Sequence, residues 1–203
     1  KSSPEHIEVL FKQGALHRDM GRYDEAIRWY HRGLRTAGRL AKGAEREHLE
    51  LELEMGIATV RFRQGDFRDA VKRCRAVVDR ALAAKDERLQ LANAYLLLHL
   101  AHTQMGSPDR VAFRGLALPI FEELGDLKRQ ATVLNNLGIE AYYEGDWAKA
   151  LDVYERSRAL FERIGDVTSV AMAQNNIGEI LSDQGRLAEA EELFKTVQRT
   201  IDA

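Results

Sequence analysis

The sequence predicts an all-α protein, a solenoid of five helix-turn-helix repeats, and three observations carry that prediction. Glycines recur at Gly21, Gly65, Gly106, Gly145 and Gly185, spaced 44, 41, 39 and 40 residues apart. Each has the same surroundings: five residues on stands Ala26, Ala70, Val111, Ala150 or Ala190, and seven before stands Gly14, Ala58, His99, Gly138 or Gly178. Small residues at fixed offsets mark close approach of two helices, so the period reads as one helical hairpin repeated. Finally, only three prolines (Pro4, Pro108 and Pro119) occur in 203 residues, and strand-like alternation is absent.

Taken in order, Ser3-Pro4 opens the first helix, with serine as cap and proline at the first helical position, where a missing amide proton costs least. Helices are expected at 4–20 and 23–41, 44–64 and 67–84, 86–105 and 109–124, 126–144 and 147–164, and 166–184 and 187–202. Repeats therefore span about 4–41, 44–84, 86–124, 126–164 and 166–202, and the short connections make each pair an αα-hairpin. Asp86, Asp126 and Asp166 recur every 40 residues, the last two after Gly125 and Gly165. Glycine ends one helix in a left-handed conformation and aspartate caps the next, so these aspartates read as punctuation. The fourth and fifth repeats are most alike, Leu134-Asn135-Asn136-Leu137-Gly138 returning as Gln174-Asn175-Asn176-Ile177-Gly178. The third departs most: Gly115 stands where the others have Tyr30, Cys74, Tyr154 or Phe194, and Pro119 falls inside its second helix, where it should bend the array.

Composition narrows the function. Hydrophobic residues form 45% of the chain, enough for a core running along one elongated unit, residues 1–203. Thirty basic residues face thirty-two acidic ones, a net charge of −2, which argues against a general polyanion binder; Arg28, Arg32, Arg35 and Arg39 read as a solvated helix face, and no direct nucleic-acid binding is expected. The lone Cys74 can form no internal disulfide and has no zinc-finger spacing, so a reducing, cytoplasmic setting is the economical reading. There is no charged-then-apolar leader and no apolar run of about 18 residues, so no membrane association is expected. The chain begins at Lys1 rather than Met, as a piece of a larger protein would.

Gly138 followed by Gly145, Trp147, Ala150 and Tyr154, with Gly14, Gly21, Tyr23, Ala26 and Tyr30 matching in the first repeat, resembles the tetratricopeptide repeat. That repeat is usually about 34 residues long, so these units look like the extended variety. Similar long repeats with Asn-Asn-Leu-Gly and Gly-Asp signatures occur in Pins-type spindle-orientation scaffolds, in kinesin light chains and in C-terminal sensor regions of bacterial signalling proteins. The segment from Leu134 to Asp166 looks most like the bacterial group, in which such arrays follow an ATPase domain and a nucleotidyl cyclase or transcription-activator effector. The resemblance implies a right-handed α-solenoid that binds a protein, a peptide, or an effector or ATPase domain of its own parent chain.

In that fold the first helix of each pair lines the concave groove, and spacing then gives its lining. The expected residues are Phe11, Ala15 and Arg18; Met55, Thr59 and Phe62; Leu96, Leu100 and Thr103; Asn135, Ile139 and Tyr142; and Asn175, Glu179 and Ser182, with Tyr143 alongside if the helix rotates slightly. The result is a mostly apolar trough suited to a peptide or helix. Asn135 and Asn175 are expected to reach a bound backbone, while the alternative for Asn136 and Asn176 is that they tie adjacent repeats together. Only Arg18 offers a cation on this face, which disfavours a C-terminal carboxylate as ligand. His99 and His102, three apart on a core-facing stripe, form an incomplete metal pair, and no phosphate loop, metalloprotease helix or nucleophile elbow is present, so neither cofactor nor catalysis is expected. Two other readings stay open. The trough could hold a small-molecule inducer, or the stripe Leu193, Val197 and Ile201 on the last helix could stack weakly on another copy.

Overall fold

A computed structural model describes residues 3–84 and 86–202, the side chain of Ile201 excepted. The described residues form α-helices and turns without strands, in two compact units, Lys1–Ala117 and Leu118–Ala203. The first unit holds α1 (Pro4–Asp19), α2 (Tyr23–Ala37), α3 (Ala44–Arg63), α4 (Phe67–Ala83), α5 (Arg88–Gln104) and the single turn α6 (Arg110–Phe113). Next, α7 (Ala117–Glu123) begins at the boundary, and α8 (Leu127–Tyr143), α9 (Trp147–Arg163), α10 (Val167–Asp183) and α11 (Leu187–Ile201) follow in the second unit. In each unit, successive helices pack side by side as hairpins, α1 on α2, α3 on α4, α8 on α9 and α10 on α11.

The expected punctuation is present at most joints. Ser3 accepts from the amide of His6 at 3.4 Å with Pro4 in the first turn. Asp126 and Asp166 accept from the amides of Arg129 and Ser169 at 3.0 and 3.1 Å, after glycines with φ of +67° and +70°. Such caps satisfy one orphan amide each and are worth about 1 kcal/mol. Asp66 and Asp146 do the same within their hairpins, bonding the amides of Asp69 and Lys149. Asp86 does not serve this way. Helix α5 starts at Arg88 with Glu87 in the cap position and no side-chain cap bond, because the Glu87 carboxylate instead meets the His48 ring at 3.1 Å.

The third hairpin also differs from expectation. Its second helix is not one bent helix over 109–124 but two short ones, and the break falls at Gly115, with φ of +77°. A left-handed residue cannot continue a right-handed helix, so the chain restarts at Ala117. Pro119 then lies in the first turn of α7, where it displaces no helical hydrogen bond.

The hairpins close on one contact between a small residue and a ring. A Cβ on Gly14 would lie 2.5 Å from the Tyr30 ring, and one on Gly56 of the next hairpin 2.7 Å from the same ring. Gly138 meets Tyr154 and Gly178 meets Phe194 in the same manner, at 2.5 and 2.6 Å. In the second hairpin Ala58 faces the smaller Cys74, both fully buried in one cluster with Leu51, Val77 and Leu98. Burial in that cluster pushes the Cys74 thiol up to about 12, so it stays a thiol and acts as packing.

Replacing Gly14 by Ala tests this contact. Helix propensity alone would favour alanine by about 1 kcal/mol, yet overpacking the Tyr30 site is expected to cost a net 1–3 kcal/mol, roughly. Chemical denaturation of both chains measures the difference, and a more stable Gly14→Ala chain would show that the ring has room to move.

Candidate functional site

The first helices of the hairpins keep one row of side chains outside the core, and the two units differ in what they place there. In the first unit Phe11, Phe62, Leu96 and Leu100 are half-buried. The Phe11 ring leans on Tyr30, with centroids 5.7 Å apart, and Phe62 leans on Phe67 at 5.4 Å, so both rings are partly committed to packing. Arg18 is half-buried and held by its neighbour Asp19 at 2.9 Å.

Met55 is not on this face. It is 7% exposed and belongs to the core cluster around Leu51 and Leu98. Helix α3 packs against α1, α2, α4 and α5, so a helix surrounded on several sides buries more than the single stripe that an amphipathic pattern implies. The carboxylate of Glu52, on the same helix, is also half-buried. Burial raises its pKa, the charges of Glu8 and Glu87 reinforce that shift, and His48 and Lys12 oppose it.

In the second unit Asn135 is likewise not a groove residue. It is 5% exposed, in line with buried Ala131 and Gly138 at helical spacing, and its Oδ1 accepts from Nδ2 of Asn176 at 3.1 Å. Helix α8 is turned so that this row faces the neighbouring hairpin, and the pair ties α8 to α10. Asn176 therefore acts as the expected tie, with Asn135 rather than Asn136 as its partner. Asn175 is half-buried and donates to Glu179 at 3.0 Å. Ile139 is 38% exposed, Tyr142 half-buried and Tyr143 82% exposed, so the helix presents both tyrosines.

These residues meet at the ends of α8 and α10. The Tyr142 hydroxyl donates to Oδ2 of Asp183 at 2.6 Å, and the Tyr143 ring stands edge-on to Tyr142 with centroids 5.5 Å apart. The hydrogen bond to Asp183 raises the Tyr142 pKa, and the nearby charges of Asp183 and Glu179 add to the rise. Spacing would have shown Asp183, because Asn175, Glu179 and Asp183 repeat every four residues along one helical row.

Other features read as structure. His99 and His102 are both buried; His99 Nδ1 lies 3.3 Å from the carbonyl of Arg110, and His102 stacks on Phe113 at 5.5 Å, where burial lowers its pKa. Among the described residues no group of three or more His, Cys, Asp and Glu is placed to hold a metal ion, and no helix is long and apolar enough to cross a membrane. The arginines of the second hairpin are largely paired, Arg80 with Glu47 and Glu50 at 2.7 and 2.9 Å, and Arg73 with Glu54 and Asp69 at 2.9 Å. A cavity of about 650 Å³ beside α2 is lined by Trp29, His17, Arg28, Arg32 and Arg35, with the Arg32 guanidinium 5.6 Å from the Trp29 ring. At the other end, α11 leaves Leu187 exposed and Leu193 and Val197 half-buried, while the Ile201 side chain lies outside the described residues.

Two family profiles, each described as tetratricopeptide repeat, match residues 129–200 and 9–42, together just over half the chain. No curated protein sequence matches it. Among solved structures, BtubC from P. vanneervenii superposes with a TM-score of 0.79 at 22% identity, covering 98% of this chain and 79% of that one. The Rap conjugation gene regulator of the plasmid pLS20, in complex with the Phr peptide, gives 0.76 at 17% identity, covering 97% of this chain but only 54% of the regulator. The kinesin light chain repeats of Podosopora anserina give 0.70 at 16% identity, covering 97% and 95%. At these identities the likeness is one of fold.

Two measurements test the assignments of Asn135 and Glu52. Asn135→Ala removes a buried hydrogen bond and strands the Asn176 amide, so thermal denaturation should show a loss of about 1 kcal/mol; an unchanged midpoint would return Asn135 to the surface. Glu52 has a folded-state pKa above its unfolded value, so its contribution is intact at low pH and is lost as pH rises through the folded pKa. Glu52→Gln should therefore raise the melting temperature at neutral pH, with the gain shrinking as the pH falls toward about 4.

Proposed function

The chain belongs to the tetratricopeptide repeat family, and on that premise we propose that it is a protein–protein interaction module whose first-helix faces receive a peptide or a partner domain. The observation that carries this reading is the row Ile139, Tyr142 and Tyr143, where a rigid helix holds an aromatic ring 82% exposed beside an apolar side chain. A solvated face has no use for such side chains, whereas burying them on a partner is favourable by about 25 cal/mol per Å² of apolar surface. Leu96 and Leu100 on α5, half-buried, extend the same kind of surface in the first unit. The peptide carried by the Rap regulator of similar fold supports the reading by analogy.

The finer proposal is that the array is a non-catalytic sensor or regulatory region of a bacterial, cytoplasmic signalling protein, coupling occupancy of its face to an effector elsewhere in the parent chain. The Gly-Asp and Asn-Asn signatures of repeats four and five support it through their resemblance to that group. A small-molecule inducer is the second reading. It is favoured by a cavity of about 500 Å³ between α10 and α11, where Thr168, Asn175 and Thr200 bring polar groups to a lining that includes Met172 and Val197.

Affinity capture from source-cell lysate tests the interaction reading, comparing the chain with an Ile139→Glu, Tyr143→Ala variant. Both positions are exposed, so helicity by circular dichroism should be unchanged, while a partner held by the native chain should be reduced by about tenfold or more, the loss expected for a central interface anchor. Equal capture by both chains would remove this face as the binding surface.

A further inference from the structure

Near the C-terminal ends of α8 and α10, the second unit carries negative charge that the chain itself leaves uncompensated. Elsewhere in this unit exposed carboxylates commonly have cations: Glu155 and Glu162 share Arg158, Glu189 holds Arg186 at 2.6 Å, and Lys195 reaches Glu191 and Glu192. Among the described residues Glu179 and Asp183 have none within ion-pair distance, and their contacts are neutral donors, the Asn175 amide at 3.0 Å and the Tyr142 hydroxyl at 2.6 Å. Arg186, three residues beyond Asp183, is already engaged by Glu189.

A second observation lies beside the charge. Tyr143 is 82% exposed and meets Tyr142 edge-on at 5.5 Å, which leaves its ring surface open to solvent. An aromatic face attracts a cation through its quadrupole, and the attraction grows when carboxylates lie within the same small region. The pKa of Tyr142 is raised first by its bond to Asp183 and then by desolvation, with the charges of Asp183 and Glu179 adding to the rise.

We propose that this face anchors its peptide through an arginine side chain, the guanidinium lying against the Tyr143 ring within reach of the Glu179 and Asp183 carboxylates. Arginine suits the arrangement better than lysine. Its planar group stacks on an aromatic ring while its edge donates in parallel to carboxylate oxygens, and it sheds hydration more readily than an ammonium. Ile139, 38% exposed on the same helix, offers an apolar shelf for a residue flanking the arginine. The proposal rests on the peptide-binding reading above and adds the chemistry of the anchor.

The experiment begins with a displayed random-peptide library selected on the purified chain, followed by synthesis of a selected peptide with arginine or with citrulline, which keeps the shape and removes the charge. Arginine should be enriched at one position, and the citrulline peptide should bind about tenfold more weakly, as expected for a charge-assisted pair on an aromatic ring. A Glu179→Gln, Asp183→Asn chain keeps neutral partners for Asn175 and Tyr142 and should bind both peptides alike. Selected peptides without basic enrichment, or equal binding of the arginine and citrulline forms to the native chain, would overturn the arginine anchor while leaving the peptide face standing. A selection that yields no binders defeats the peptide face and the anchor together.

Discussion

Everything in this protein depends on how closely the two helices of a hairpin approach, and that distance is set at one position. Where the first helix has glycine, the second has a ring: Gly14 with Tyr30, Gly138 with Tyr154, Gly178 with Phe194. Where the first helix has alanine, the second has a cysteine, Ala58 with Cys74. The third hairpin has no such contact: a Cβ on Gly115 would meet nothing within 4 Å. The first helix has buried His99, and the equivalent position on the second is Gly115. Summed volume at the crossing is limited by close packing, so a large residue on one side requires a small one on the other. In the third hairpin the small residue is glycine in a left-handed conformation, and the second helix breaks there.

Around that contact the remaining determinants are local. Aspartate caps and left-handed glycines end and restart helices within two or three residues, so each hairpin has little choice of register. Side-chain bonds between helices then hold neighbours in place: Ser157 donates to the Ala131 carbonyl at 2.8 Å, Gln130 to the Phe121 carbonyl at 2.9 Å, and Asn176 to Asn135. Each of these three polar groups finds its partner across a helix interface, which limits sliding as well as satisfying the group. The tyrosines and carboxylates at the ends of α8 and α10 are consequently displayed from helices whose rotation is already fixed, and preorganisation of that kind lowers the entropy cost of binding.

Much of this was readable beforehand, because punctuation is local and repeats itself. The glycine period gave the helices, and ten expected helices correspond to the observed ones except where Gly115 divides one. Pro119 suggests a bend because a proline inside an apolar run breaks helices, whereas the chain leaves the helix at Gly115, four residues earlier. The candidate face was only partly readable. Helical spacing puts Ile139, Tyr142, Asn175 and Glu179 alike on the groove side, where Ile139 and Glu179 are exposed and Tyr142 and Asn175 half-buried, but spacing gives no account of what surrounds a helix. Met55 is enclosed because α3 has neighbours on several sides, and Asn135 because α8 turns that row toward α10. The ion-pair ledger that sets Glu179 and Asp183 apart depends on three-dimensional proximity, which no one-dimensional pattern contains.

The separation of the Gly–ring notch from the outer row of the same helix has an evolutionary consequence. On α8 the notch residue Gly138 is buried, while its immediate neighbour in sequence, Ile139, is exposed. If the outer row is the binding face, as proposed above, substitutions there change what is recognised at little cost in stability, since surface replacements away from special features usually stay within about 0.5 kcal/mol. Selection can therefore retune the specificity of one repeat without disturbing the hinge points that make it a repeat. A duplicated hairpin would inherit its architecture intact and be free to diverge in its ligand from the first generation onward.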